Sequence, residues 1–331
     1  MTHVLVLAGG LSHERDVSLR SGRRVADVLA KLDVEAHVAD ADAALLGRLE
    51  ATRPDVVWPV LHGAPGEDGA LRDVLAALGF RYVGARPDAC RITWDKPVAK
   101  TLVQRAGVQT PRGVALSHAT FRELGASGVL AAVSTSLGLP LVVKPARGGS
   151  ALGLSVVREP GELPSAMVDA YAYGDIALLE TFVPGTEVAV TVLEGEDGAP
   201  LALPAVEIVP DGGVYTYAAR YTAGETEFFT PARLGAEAAT AVADAAVAAY
   251  AALGHRHLSR IDLVVDDGGV PWFLEGNVAP GLTETSLTPM AIAASGADQA
   301  AVYRRLLDHA LRDDASLPAQ NASTAPGQPV A

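Results

Sequence analysis

Residues 259–277 constrain this chain more than any other stretch. Ser259-Arg260-Ile261-Asp262-Leu263-Val264-Val265 and Val270-Pro271-Trp272-Phe273-Leu274-Glu275-Gly276-Asn277 are β-rich runs flanking Asp266-Asp267-Gly268-Gly269. An Asp-Gly pair between such runs is a strong hairpin signal. With Asp267-Gly268 as a two-residue turn, Arg260 lies opposite Glu275 and Asp262 opposite Phe273. Strand side chains alternate between faces, so Arg260, Asp262, Glu275 and Asn277 share one. Asp262 and Glu275 become diagonal neighbours, about 7–8 Å apart at the backbone, and can meet at one cation. An all-oxygen Asp/Glu/Asn set suits Mg²⁺, and Arg260 can hold a phosphate or a developing oxyanion. The competing reading is a solvent-facing hairpin with incidental ion pairs, and a one-residue register slip would split the cluster.

The formal net charge of −13 argues against a nucleic-acid or membrane-surface binder, which needs a basic face. No apolar run approaches the ~20 residues of a membrane span, and residues 1–8 read as a first strand rather than a signal peptide. The single cysteine, Cys90, forms no internal disulfide, as expected of a protein in the reducing cytoplasm. Lysine is scarce: Lys31, Lys96, Lys100 and Lys144 are the four, and the other basic residues are arginine. A chain that supplies surface charge with Arg can keep Lys where a point charge is useful, which draws attention to Lys96 and Lys144.

Along the chain, strands at 3–8, 34–39, 55–61 and 80–83 alternate with helical patterns, the sign of a parallel α/β sheet. Its strand-end loops, near Gly9–Glu14 and His62–Gly69, are where such a sheet binds ligands. A second unit begins near Asp95-Lys96, with a helix at 96–106, a strand ending at Lys144, and the glycine-rich loop Ala146-Arg147-Gly148-Gly149-Ser150. The third runs from Gly185, with strands at 187–193 and 203–208, a polar loop at 215–231, a helix at 235–252, the hairpin and a closing helix. The expected division is 1–93, 94–184 and 185–312, with a disordered tail at 313–331.

Several motifs occur in one order: Gly10-x-Ser12-x-Glu14-Arg15-x-Val17-Ser18, His62-Gly63-x-x-Gly66-Glu67-Asp68-Gly69, Lys144-Pro145-x-Arg147-x-Gly149-Ser150, Arg260-Ile261-Asp262 and Glu275-x-Asn277-x-x-Pro280-Gly281. Across roughly residues 3–310 the chain resembles the ATP-grasp ligases, and within them the D-alanine–D-alanine ligases. The resemblance implies a three-domain ATP-grasp fold of mixed α/β class with an N-terminal parallel sheet. It also implies a cytoplasmic homodimer that makes D-alanyl-D-alanine from ATP and D-alanine for peptidoglycan precursors.

By the same resemblance Asp262, Glu275 and Asn277 hold two Mg²⁺ ions, with Mn²⁺ able to substitute. Lys96, Lys144 and Arg220 contact the ATP phosphates. Glu180 and the backbone of Thr181 and Val183 bind the base edge, Phe182 lines the apolar pocket, and Glu187 accepts from the ribose. Glu14 takes the ammonium of the first D-alanine, with His62 beside it and Glu67 orienting the imidazole. Ser286 and Leu287 receive the second carboxylate at a helix start. Tyr221, Ser150 and Glu14 close the site under the lid 215–221, and Arg260 with the Gly281 N–H faces the oxyanion. His62 and Tyr221 both remain open as the general base.

The chain departs from the family pattern at Arg220, Ala146, Gly148 and Thr181, where Lys, Ser, Glu and Lys are usual. The acceptor stays open among D-alanine, D-lactate and D-serine, Tyr221 favouring an amino acid. A dinucleotide-binding oxidoreductase fits worse, since Gly9-Gly10-Leu11-Ser12 lacks the G-x-G-x-x-G spacing. A non-catalytic nucleotide binder would not be expected to keep Asp262, Glu275 and Asn277.

Overall fold

The computed structural model describes residues 1–313 apart from Ala223, and only the backbone of Ala218 and Tyr221. The expected disordered tail therefore lies outside the described residues, except Asp313, which pairs with Arg256 and with His257 at 3.1 Å.

The strands of the described residues form three sheets. The first is parallel, in the order β2-β1-β3, from β1 (Thr2–Ala8), β2 (Val34–Asp40) and β3 (Val56–Pro59). The expected strand at 80–83 is reduced to one parallel bridge, Val57 to Tyr82. Val4 to Ala8 are all buried, because both sheet faces are covered. The helix Arg15–Leu29 buries Val25, Val28 and Leu29. Ser18 fastens that helix to both strand ends: its hydroxyl accepts from the Gly9 N–H (2.9 Å) and donates to the Val60 carbonyl (2.6 Å). Glu14, immediately before the helix, is thereby held at the sheet's C-terminal edge.

The second sheet is antiparallel, in the order β4-β7-β5-β6: β4 (Gly113–Ser117), β5 (Leu141–Pro145), β6 (Ser155–Val157) and β7 (Ile176–Thr181). Leu141, Val143 and Leu179 pack with Met167 of the helix Leu163–Tyr171. Val142 pairs with Glu180 and Lys144 with Leu178, so Lys144 and Glu180 are diagonal neighbours on the opposite face.

The third sheet has the order β11-β10-β8-β12-β13, with β9 pairing β8: β8 (Thr186–Glu194), β9 (Pro200–Ala202), β10 (Val206–Pro210), β11 (Thr226–Phe229), β12 (Leu258–Val265) and β13 (Pro271–Asn277). The expected polar loop at 215–231 thus contains β11 and a short helix, Tyr217–Tyr221. Val188, Val190, Ile261, Leu263 and Phe273 bury one face against the helix Ala236–Ala252. Ala99 and Val103 join that core, so the helix Lys96–Arg105 packs on the third sheet although it precedes the second in the chain. The C-terminal helix Gln299–Arg312 returns to the first sheet, where Tyr303 meets Trp58 with ring centroids 5.1 Å apart.

The hairpin's register differs from the sequence expectation. The loop has three residues, Asp267 to Gly269, closed by Asp266 N–H to Val270 O (3.1 Å) and Gly269 N–H to Asp266 O (2.9 Å). Gly269 takes φ 78°, a left-handed conformation that glycine adopts without strain. This shift by one residue would have put the two acids on opposite faces. A bulge at Leu274 shifts the pairing once more, so Asp262 lies directly opposite Glu275, and Arg260 opposite Asn277.

Candidate active site

Two adjoining cavities lie where the sheets meet. One, of about 410 Å³, is lined by Lys144, Thr181, Phe182, Val183, Glu187 and Asp262 among others. The second, of about 530 Å³, is lined by Glu14, His62, Glu67, Ser150, Arg260, Asn277, Gly281, Ser286 and Leu287. Lys96, Gly148, Gly149, Tyr215, Arg220 and Glu275 border both. The structure thus brings the nucleotide candidates to one chamber and the amino-acid candidates to the next, with the metal candidates divided between them: Asp262 in the first, Asn277 in the second and Glu275 on the border.

The shared border concentrates charge. Lys96 Nζ donates to Gly148 O at 2.5 Å and lies 3.3 Å from Glu275 Oε2, so the helix start grips both the glycine loop and β13. Burial alone would raise the Glu275 pKa, but Lys96, Lys144, Arg220 and Arg260 together hold it down at about 2. Arg260 is buried and binds Asp262 through both guanidinium arms, Nε to Oδ1 and Nη2 to Oδ2, each 2.7 Å. Glu187, diagonal to Asp262 across β8 and β12, is pushed up to about 7, first by desolvation; Arg220 opposes this and the Asp262 and Glu275 charges add to it. Arg220 stacks on Tyr215, its guanidinium 4.2 Å from the ring centroid. The Asn277 carboxamide oxygen accepts the Ala279 N–H at 3.0 Å.

The base-edge candidates Glu180, Thr181, Phe182 and Val183 lie together on the wall of the first cavity. Glu180 is buried, with Oε1 2.5 Å from Lys144 Nζ and Oε2 3.0 Å from Lys100 Nζ. Burial opposes its ionisation, yet the two ammonium groups hold its pKa below the ordinary carboxylate value. The Thr181 N–H is taken by the Arg112 carbonyl (2.9 Å) and the Phe182 N–H by Pro140 (3.1 Å). Lys100 was not among the candidates. Its signal was present: it lies four residues after Lys96, on the same helix face, in a chain with four lysines.

In the second cavity, the Ser150 hydroxyl donates to Glu14, as the resemblance implied. His62 is oriented by the Ala279 carbonyl, which accepts from Nδ1 at 2.9 Å, and not by Glu67. Burial lowers the His62 pKa, so the ring is neutral, and the Nδ1–H to carbonyl bond leaves Nε2 as a lone-pair acceptor. Among the described residues, that buried Nε2 has no hydrogen-bond partner. Ser286 precedes the helix Leu287–Ala294, but its hydroxyl already accepts from the Thr283 N–H at 3.1 Å. The Tyr221 side chain lies outside what the structure describes.

Glu67 accepts the Gly63 N–H at 2.9 Å instead. Gly66 permits this tight turn, since a Cβ there would stand 2.1 Å from the Leu61 carbonyl oxygen. Burial, then the Glu14 charge, pushes the Glu67 pKa up to about 8. A pKa raised in the folded state means that the folded protein holds a proton the unfolded chain releases. Its contribution to stability is therefore present below the ordinary carboxylate pKa and lost as pH rises through about 8. Glu67→Gln should flatten the fall in Tm between pH 5 and 8, measured by calorimetry; an unchanged slope would show that Glu67 is already ionised in the fold.

A carboxylate-bearing antiparallel sheet facing a lysine-bearing sheet across a cavity is the layout of an ATP-grasp enzyme. A family model described as D-ala D-ala ligase C-terminus matches residues 102–308. The D-alanine–D-alanine ligase of Gloeobacter violaceus is 41% identical over 309 residues, covering 93% of this chain and 99% of that one. That of Moorella thermoacetica is 38% identical over 308 residues, with the same coverage of both. Among solved structures, the VanG D-Ala:D-Ser ligase of Enterococcus faecalis superposes with TM-score 0.79 at 27% identity, over 93% of this chain and 99% of that one. The Bacillus anthracis D-alanine–D-alanine ligase complexed with ATP gives 0.77 at 27% identity, over 94% and 98%. The chain belongs to the D-alanine–D-alanine ligase family.

Proposed function

We propose that this protein joins two D-alanines into D-alanyl-D-alanine for peptidoglycan precursors, using ATP, through a D-alanyl phosphate and with release of ADP and phosphate. The observation that carries the reading is the common border of the two cavities: Lys96, Arg220 and Glu275 face both, where a γ-phosphate and an amino-acid carboxylate would meet. The names of the relatives support the substrates, and the ATP-bound neighbour supports the nucleotide.

In this reading Lys96, Lys144 and Arg220 offset phosphate charge in an otherwise acidic protein. Phe182 packs on the base, Glu180 meets its edge through the lone pairs its lysines leave, and Glu187 takes the ribose. The oxygen donors Asp262 and Glu275, directly opposite on paired strands with Asn277 two residues on, fit Mg²⁺. Bound there, as one or two ions or replaced by Mn²⁺, it would neutralise phosphate oxygens during transfer.

Glu14 holds the first ammonium and Ser150 steadies Glu14. His62 Nε2, buried and neutral, is suited to take a proton from the second substrate's ammonium, so His62 is preferred as base to Tyr221. Ser286 and the Leu287 N–H receive the second carboxylate at a helix N-terminus. Arg260 and the Gly281 N–H face the tetrahedral oxyanion. The segment 215–221 closes over the site as a lid and excludes water that would hydrolyse the acyl phosphate. A three-unit chain divided at 93/94 and 184/185, and a cytoplasmic homodimer, belong to the same proposal. No helix of the described residues is long and apolar enough to cross a membrane.

A D-serine acceptor is the second reading, favoured by the likeness to a D-Ala:D-Ser ligase. The test is to incubate the protein with ATP, Mg²⁺ and D-alanine, follow ADP and dipeptide together, and then add D-serine or D-lactate in competition. D-Alanyl-D-alanine should dominate. Absence of D-alanine-dependent ADP release would overturn the function, and a dominant mixed product would overturn only the acceptor.

A further inference from the structure

Lys100 sits behind the nucleotide cavity, outside its wall, with its ammonium 3.0 Å from Glu180 Oε2 and 3.1 Å from the Phe273 carbonyl. It is as buried as the lysines that face the cavities. A buried ammonium is costly unless paired, so a lysine here needs a reason that a leucine would not satisfy. Lys144 already pairs with the other oxygen of Glu180. Lys144, however, lines the cavity and is the lysine that would turn toward a triphosphate. If it does so, Lys100 is the counter-charge that stays, fixed by a backbone carbonyl of β13.

We propose that Lys100 is a positioning residue for nucleotide selection, holding Glu180 as a charged acceptor aimed at the amino edge of adenine. The proposal rests on the reading above that places Glu180 on the base edge. A carboxylate has about four lone-pair sites; Lys144 pairs with Oε1 at 2.5 Å, Lys100 faces Oε2 as an ion pair at 3.0 Å, and the remaining lone pairs can accept from an exocyclic amine. A base that presents a carbonyl there would meet a buried anion and be rejected. Lys100 also links Glu180 to β13 two residues before Glu275, so the base site and the carboxylate pair are fastened to one strand.

The test compares ATP with ITP, which carries a carbonyl in place of the amine, in the intact enzyme and in Lys100→Met, Glu180→Gln and the double variant. Lys100→Met should raise KM for ATP about tenfold, leave kcat within about threefold, and lower the ATP:ITP preference in kcat/KM by about tenfold or more. In the Glu180→Gln background Lys100→Met should add less than about twofold, because one residue acts through the other. Lys100→Gln keeps a donor for Phe273 and removes the charge; it serves where Met disrupts folding, with the same losses expected. If Glu180→Gln loses the preference and the Lys100 variants keep it, the proposal is overturned. Equal Lys100 effects in both backgrounds overturn it too. If Glu180→Gln keeps the preference, the base-edge reading itself fails and takes the proposal with it.

Discussion

Glu275→Gln is expected to lower kcat by about a thousandfold or more, with far-UV circular dichroism like that of the parent and a lower Tm, because the cations that hold the carboxylate ionised lose their counter-charge. The substitution changes one oxygen for an amide nitrogen and keeps the shape. What it removes is charge, at the place where the structure concentrates it: Lys96 is 3.3 Å away, Asp262 lies directly opposite, and Arg260 and Arg220 act on the same carboxylate. A loss of about 4 kcal/mol of transition-state stabilisation corresponds to that factor. The metal reading adds a second observable, since Mn²⁺ titrated in the presence of ATP and followed by electron paramagnetic resonance should bind the variant more weakly. Turnover within about tenfold of the parent would reject Glu275 as a ligand. Lost turnover with unchanged Mn²⁺ binding would assign its role to Lys96 and the glycine loop instead.

The sequence exposed the chemistry of this site more fully than its geometry. Alternation alone placed Arg260, Asp262, Glu275 and Asn277 on one face, and the structure agrees, though by another route. A longer loop and a bulge each shift the pairing by one residue and together preserve the face. Neither is written in side-chain periodicity: the loop depends on which of two adjacent glycines takes the left-handed conformation, and the bulge falls on Leu274, an apolar residue that looks like ordinary strand. The helix Lys96–Arg105 shows another limit. Its periodicity predicted a helix correctly, but whether Ala99 and Val103 pack on the second or third sheet depends on surfaces distant in sequence.

Long-range polar partners were the least legible. Glu67 stands close to His62 in the chain, which invited the pairing of the two. Folding instead brings in the Ala279 carbonyl, from a loop beyond the hairpin, and turns Glu67 back on its own segment. Backbone groups leave no mark in a sequence, so an imidazole held by a carbonyl cannot be told from one held by a carboxylate. Lys100 was obscured for a related reason. A lysine on a helix reads as a solvated residue, and only the third sheet above it and Glu180 in front of it make it buried.

Arg260→Met is expected to have two separable effects. Arg260 and Asp262 are buried and joined by paired 2.7 Å bonds. Removing the guanidinium leaves an uncompensated buried carboxylate, and breaking such a pair from one side costs about 3–5 kcal/mol. The unfolding midpoint in urea should fall accordingly. Arg260→Met/Asp262→Asn makes both positions neutral and should recover most of that loss, because the cost arises from the stranded charge rather than from the missing contact. Activity should follow a different pattern. If Arg260 also holds the oxyanion, kcat falls by about 10²–10³ in the single variant, and the double variant, which loses a metal candidate as well, recovers none of it. Arg260→Lys retains charge without the planar fork and should fall between, with part of the stability and little of the rate. A stability loss below about 1 kcal/mol in Arg260→Met would mean that Asp262 is compensated by other groups. Recovery of kcat together with stability in the double variant would remove Arg260 from the chemistry and leave it the role of holding β12 in shape.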